Sequence, residues 1–179
     1  MSKLDITPVL KAHVKTLRDE RNNKLSAIDL IIFFLLPFTC AAIVLYLHFG
    51  FHADAVNGFL NSFAIFTGLL LNVLILVFTL ASSSTPLTID PRKRKEFLRR
   101  VFVNVSFSVV TAIAVVVVAV IALSYMRSNQ GAITGPIATF FLVFLTANFV
   151  LTLLMIVKQM FILLGTELDR VPIKQDRAA

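Results

Sequence analysis

The chain has 179 residues, 58% of them hydrophobic, with a formal net charge of +7 and a mean hydropathy of +0.87. This length fits one domain, and an apolar share above the roughly 45–50% of soluble proteins leaves too little polar sequence to coat a soluble fold, so a membrane is the expected solvent. The single Cys40 excludes an intrachain disulfide, and no cleavable signal peptide is expected, because the first apolar run is too long for one.

Residues 1–25 read as a short amphipathic basic helix. Thr7 can cap it and Pro8 fits its first turn. Leu10, Val14 and Leu17 share one face, with Lys11, Lys15 and Arg18 beside them. Such a helix can lie on anionic lipid, pack on other basic segments or remain a solvated tail.

Ser26 to Asp29 resembles a capping box and starts a first span over about Ile28–Phe49. At about 1.5 Å per residue this span covers ~33 Å, enough for a hydrocarbon core of ~30 Å. Pro37 sits mid-span and frees a backbone carbonyl, which predicts a kink, with Thr39 placed to help satisfy the freed group. After a short turn, a second span runs from about Val56 to Ala81 and completes a first hairpin over 26–81. Asn57, Asn61, Gly68, Asn72 and Thr79 recur along it at helical spacings and mark a seam for another helix or for water.

Ser82 to Pro86 breaks the helix, and Asp90-Pro91 restarts it as N-cap and first helical residue. Segment 82–100 is a basic loop and helix start, rich in cations at Arg92, Lys93, Arg94, Lys95, Arg99 and Arg100. The third helix is expected from Pro91 to about Tyr125, or ~52 Å. Its first turns must therefore project beyond the hydrocarbon. A polar turn from Arg127 to Pro136 follows; it contains Gly131 and Gly135 at GxxxG spacing, which its polar setting makes a loop. A fourth span, about Ile137–Val157, completes a second hairpin over 101–157. The tail, 158–179, begins with a helical extension to about Leu168.

The fold class expected is all-α: an integral membrane bundle of four transmembrane helices with cytoplasmic helical extensions. Sixteen of the 17 Lys and Arg residues fall in 1–25, 82–100 and 158–179, against Arg127 alone elsewhere. The positive-inside rule then places both termini and the basic loop in the cytoplasm. Tyr46 and Tyr125 fall at the opposite ends of their spans, where amphipathic aromatics anchor well.

Absences shape the functional reading. The expected spans carry no Asp, Glu, Lys, Arg or His between their interfaces, which disfavours proton pumps, ion-coupled transporters and voltage sensors. The chain has no HExxH, Walker or GxSxG motif, and it is not expected to be an enzyme or to take a cofactor or small-molecule substrate. His48 and His52, four residues apart near Asp54, are weak metal candidates, because that spacing on a helix puts both rings on one face. A plain interfacial cap is the other reading.

The intramembrane amides carry more. Asn104, Ser108 and Thr111 share a face of the third helix, and Asn148, Thr152 and Gln159 a face of the fourth. Asn61, Gly68, Asn72, Asn104, Ser108, Asn148 and Thr152 are candidates either for hydrogen-bonded helix seams within one subunit, each worth about 1 kcal/mol or less, or for the lining of an aqueous path in an oligomer. The Asn104-Val105-Ser106 sequon lies within a membrane span and is discounted. Three roles are open to the basic cluster: topogenesis with attraction to anionic headgroups, docking of a nucleic acid or nucleotide, or docking of an acidic protein.

The segment Ala64-Ile65-Phe66-Thr67-Gly68-Leu69-Leu70-Leu71-Asn72-Val73-Leu74-Ile75-Leu76-Val77-Phe78, running into a basic loop and a long third helix, resembles the small multi-span membrane effectors of bacterial anti-phage defence systems, such as the partners of retrons and of nucleotide-signalling operons. The resemblance implies a toxin-like inner-membrane effector that depolarises or permeabilises the membrane once released. The expectation is therefore a homo-oligomeric pore in the bacterial inner membrane, in contact with anionic lipid and regulated by a cytoplasmic protein, nucleic acid or nucleotide. The alternatives are a non-conducting scaffold or accessory subunit that recruits a cytoplasmic partner, and a holin-like protein.

Overall fold

A computed structural model describes residues 6–16, 27–82, 91–128 and 133–168, with the side chains at 15, 27–30, 80, 91–94 and 163–168 outside that description. The described residues form five helices: α1 (Thr7–Thr16), α2 (Ala27–Tyr46), α3 (Ala53–Ser82), α4 (Pro91–Ser128) and α5 (Pro136–Leu168). Three contain stretches that can cross a membrane by length and composition: Ala53–Thr79, Lys95–Ser128 and Pro136–Ile162. In α2 the described apolar stretch, Ile31–Tyr46, is shorter. Ile65, Phe78, Ile121, Ile137 and Leu154 are each at least 60% exposed. An apolar surface of that kind suits lipid and would drive aggregation in water.

The elements follow local chemistry. Pro91 opens α4 as expected, and lipid-compatible internal hydrogen bonding carries the Val115–Val118 run as helix. The α5 helix continues past Val157 to Leu168 without a break. Pro37 lies inside a continuous α2. The Thr39 hydroxyl donates to Leu36 O at 2.9 Å, so it does not serve the carbonyl of Phe33 that Pro37 leaves free. The capping candidates Ser26 and Asp90, and the glycine Gly131, lie outside the described residues.

α2 ends three residues before the expected Phe49. His48 takes φ 52°, its N–H reaches Leu45 O at 2.9 Å, and the Phe49 N–H reaches Val44 O at 3.1 Å. These two bonds with a left-handed residue between them make a Schellman stop. The turn then locks to the start of α5. Thr134 N–H donates to Phe51 O at 2.9 Å, and Phe51 N–H donates to Thr134 Oγ1 at 3.0 Å. The Thr134 hydroxyl in turn meets Thr139 Oγ1 at 2.6 Å. Gly50 lets this turn close tightly, because a Cβ would lie 3.0 Å from the Ile133 side chain and 3.1 Å from Thr134 O.

Packing does not follow chain order. α3 packs on α4, α4 on α5 and α5 on α2, with α1 laid on α4. The bundle is therefore a row, α2–α5–α4–α3, and α2 and α3 flank the α4–α5 pair instead of packing as a hairpin along their lengths. The interior is heptad-built. α3 buries Val56, Phe63, Leu70 and Val77 at intervals of seven, and α4 buries Val101, Val105, Ser108, Ala112, Val115, Ala119, Ala122 and Met126 at alternating steps of four and three. That periodicity keeps one face on a neighbour along a left-handed crossing. Small side chains on α4 let its neighbours approach closely, and Phe149 of α5 inserts edge-on against Phe63 of α3 with ring centroids 4.9 Å apart.

Candidate functional site

The intramembrane polar residues fall into two groups that do not meet. On α3, Asn57, Asn61, Gly68, Asn72 and Thr79 are all exposed, because the heptad of Val56, Phe63, Leu70 and Val77 takes the inward side. An added Cβ on Gly68 would meet nothing within 4 Å. This row faces away from the packed side of α3 among the described residues.

The α4–α5 group is interior. Asn104, Ser108, Thr111, Asn148 and Thr152 are all buried. Thr111, Asn148 and Thr152 return their donors to backbone carbonyls one turn back on their own helices, Phe107 O, Phe144 O and Asn148 O. Ser108 Oγ and Thr146 Oγ1 are buried without a partner among the described residues. Asn72 is therefore exposed where Asn148 is buried, and the two do not share one surface of the chain.

Asn104 stands apart because it joins three helices. Its Nδ2 donates to Gln159 Oε1 of α5 at 3.2 Å. Its Oδ1 lies 2.9 Å from Thr16 Oγ1 of α1, whose single proton it shares with His13 O at 2.7 Å, and 3.0 Å from His13 Nδ1. An amide oxygen only accepts, so Nδ1 carries the proton and Nε2 is bare. The His13 ring lies flat on Phe107, with centroids 3.8 Å apart and planes within 3°, and meets Phe33 of α2 edge-on at 5.5 Å. It is 3% exposed. Burial pushes the His13 pKa below its ordinary 6.5, and the hydrogen bond with Asn104 opposes that push.

No protein-family model, curated protein or solved structure matches the chain. The site is therefore read from its own residues.

His13 was not among the residues that the sequence pattern singled out. Of the face Leu10, Val14 and Leu17, Leu10 is 42% exposed, Val14 is half-buried and Leu17 lies outside the described residues; the docked side centres on His13, with Val9, Ala12 and Thr16 also half-buried. The only local signal was a histidine four residues after Val9 on a helix with few charges on that side.

The His48 and His52 rings do not share a helix face. His48 sits in the left-handed stop beyond α2, and His52 bridges to Ile133, so the two are not successive turns of one helix and the shared-face geometry fails. No group of three His, Cys, Asp or Glu able to hold a metal occurs among the described residues. In the basic cluster, Lys95 and Arg99 are exposed and Arg100 pairs with Glu96 at 2.8 Å. The side chains of Arg92, Lys93 and Arg94 lie outside the described residues.

Proposed function

We propose that the protein is a multi-pass component of the bacterial inner membrane that assembles with copies of itself, conducts ions along converged α3 faces and so depolarises the membrane as a toxin-like defence effector. The outward row of Asn57, Asn61, Gly68, Asn72 and Thr79 carries this reading. An amide turned to hydrocarbon lacks a partner, at a cost of ~4–8 kcal/mol on the alkane scale. Water in a pore, or an amide of a second copy, removes that cost. Where several α3 rows meet, neutral amides allow ions to keep part of their hydration, and Gly68 leaves room at mid-helix.

The proposed topology has four spans. α2 has 20 residues, or ~30 Å, which matches the hydrocarbon thickness. α4 has 38 residues, or ~57 Å, and so extends well beyond it. The basic end, holding α1, Lys95 to Arg100 and Lys158, faces the cytoplasm on the positive-inside argument. Exposed Lys95 and Arg99 on that extension favour attraction to anionic headgroups, about 1 kcal/mol per cation. They also support the second reading, a non-conducting scaffold that recruits an acidic or nucleotide-bearing partner.

The test is membrane potential, read with a voltage-sensitive dye in cells expressing the chain alone. The native chain should depolarise cells before they lose integrity. Asn61→Leu and Asn72→Leu together should suppress the effect at unchanged membrane yield. Depolarisation that survives both substitutions removes the α3 row from the path, and a native chain that leaves the potential intact favours the scaffold.

A further inference from the structure

Among the described residues, His13 is the only ionisable side chain that is buried, and the helix that carries it has an inverted design. α1 leaves Ile6 52% and Leu10 42% exposed while it sequesters its histidine. With ten residues, α1 is too short to hold helical form by itself in water, so its order depends on docking. The contacts that dock it converge on one ring and one amide: the stack on Phe107, the edge on Phe33, and the hydrogen bonds of His13 and Thr16 to Asn104. Asn104 also holds Gln159, so α1 lies across the junction that ties α4 to α5 at the basic end.

We propose that α1 is a proton-responsive strap, docked across the α4–α5 junction while the His13 ring is neutral and released when Nε2 takes a second proton. In the neutral ring Nδ1–H satisfies Asn104 Oδ1, and bare Nε2 sits in an aromatic cleft that asks nothing of it. A proton on Nε2 places a charge between two phenyl rings, with no acceptor for it among the described residues. No described side chain on the surrounding elements offsets that charge. On α4, Arg100 lies one turn from Asn104 and engages Glu96 at 2.8 Å, with Lys95 and Arg99 exposed nearby. On α5, Lys158 adjoins Gln159, and α1 itself carries Lys11. The described side chains of α2, residues 31–46, include no Asp, Glu, Lys, Arg or His.

Burial lowers the docked His13 pKa below its ordinary 6.5, so the undocked state binds more protons. Docking is at full strength above the ordinary value, weakens as pH falls below it, and continues to weaken down to the lowered docked value. The strap does not depend on whether the α3 rows conduct, and its test reads no ion flux.

The experiment is hydrogen–deuterium exchange of the α1 amides in the full chain, reconstituted in phosphatidylcholine–phosphatidylglycerol nanodiscs. Exchange is compared at pH 7.5 and pH 5.5 after correction for intrinsic rates. Protection of residues 7–16 should fall several-fold at the lower pH, because the undocked state binds more protons there, while the buried heptad of α4 stays protected. His13→Phe keeps an aromatic stack but cannot take a proton, so it should hold its protection at both pH values. His13→Lys carries a fixed charge and should lose protection at both. Equal protection of native α1 at the two pH values overturns the proposal. So does a full acid response in His13→Phe, or a protected α1 in His13→Lys at pH 7.5.

Discussion

Asn104 uses three hydrogen bonds to hold α1, α4 and α5 together, and truncating it strands their partners. Asn104→Ala leaves the His13 Nδ1–H and Gln159 without their acceptor and donor, and is expected to cost about 1–3 kcal/mol. Ser108, one turn away, is equally buried but has no partner among the described residues. Ser108→Ala should therefore be neutral or stabilise by up to ~1 kcal/mol, because a desolvated hydroxyl is removed. Thermal unfolding in detergent distinguishes the two, and equal losses would refute this division of roles. The sequence displayed Asn104, Ser108 and Thr111 as one row, since helical spacing alone reveals that. It could not rank them, because the partners that matter to Asn104 lie 55, 88 and 91 residues away.

At the scale of elements, helix existence was legible and helix facing was not. Spans show themselves by length and apolarity, and caps such as Pro91 by local backbone chemistry. The inward face shows itself only by contrast, and α4 offers little, because valine occupies both its packed and its outward positions. Its order emerges from size: Ala112, Ala119 and Ala122 mark where the neighbours come closest. Ala119→Leu is expected to force α4 off its partners at about 1–3 kcal/mol. Val117→Leu, on the outward side at 51% exposure, should change melting temperature little. The α3 row shows the reverse problem. Its polarity was plain, but polar residues suit both a seam and a water path, and only the heptad beside it decides that the row turns outward. In α1 the buried position is His13, which no apolar pattern marks; its stack on Phe107 and its bond to Asn104 set the docked side.

For the whole molecule, four apolar runs joined by short turns suit several helix orders equally well, and chain order suggests two consecutive hairpins. The row α2–α5–α4–α3 follows instead from contacts such as Phe38 of α2 against Phe140 of α5, with ring centroids 5.8 Å apart. With Cys40 replaced by alanine, the pair Phe38→Cys and Phe140→Cys should cross-link in native membranes. A pair placed midway along α2 and α3 should not. The opposite pattern would restore the consecutive hairpins. The lock between Phe51 and Thr134 belongs to the same arrangement, since it pins the α2–α3 turn onto the head of α5.

This order has a consequence for how the chain is made. Synthesis delivers α2 and α3 first, yet neither packs on the other along its length, and each finds its surface only on α4 or α5. α3 meets its surface as soon as α4 is made, whereas α2 must wait for α5, the last helix of all. The first long helix to be synthesised is therefore the last to be packed, and the row closes only when the chain is nearly complete.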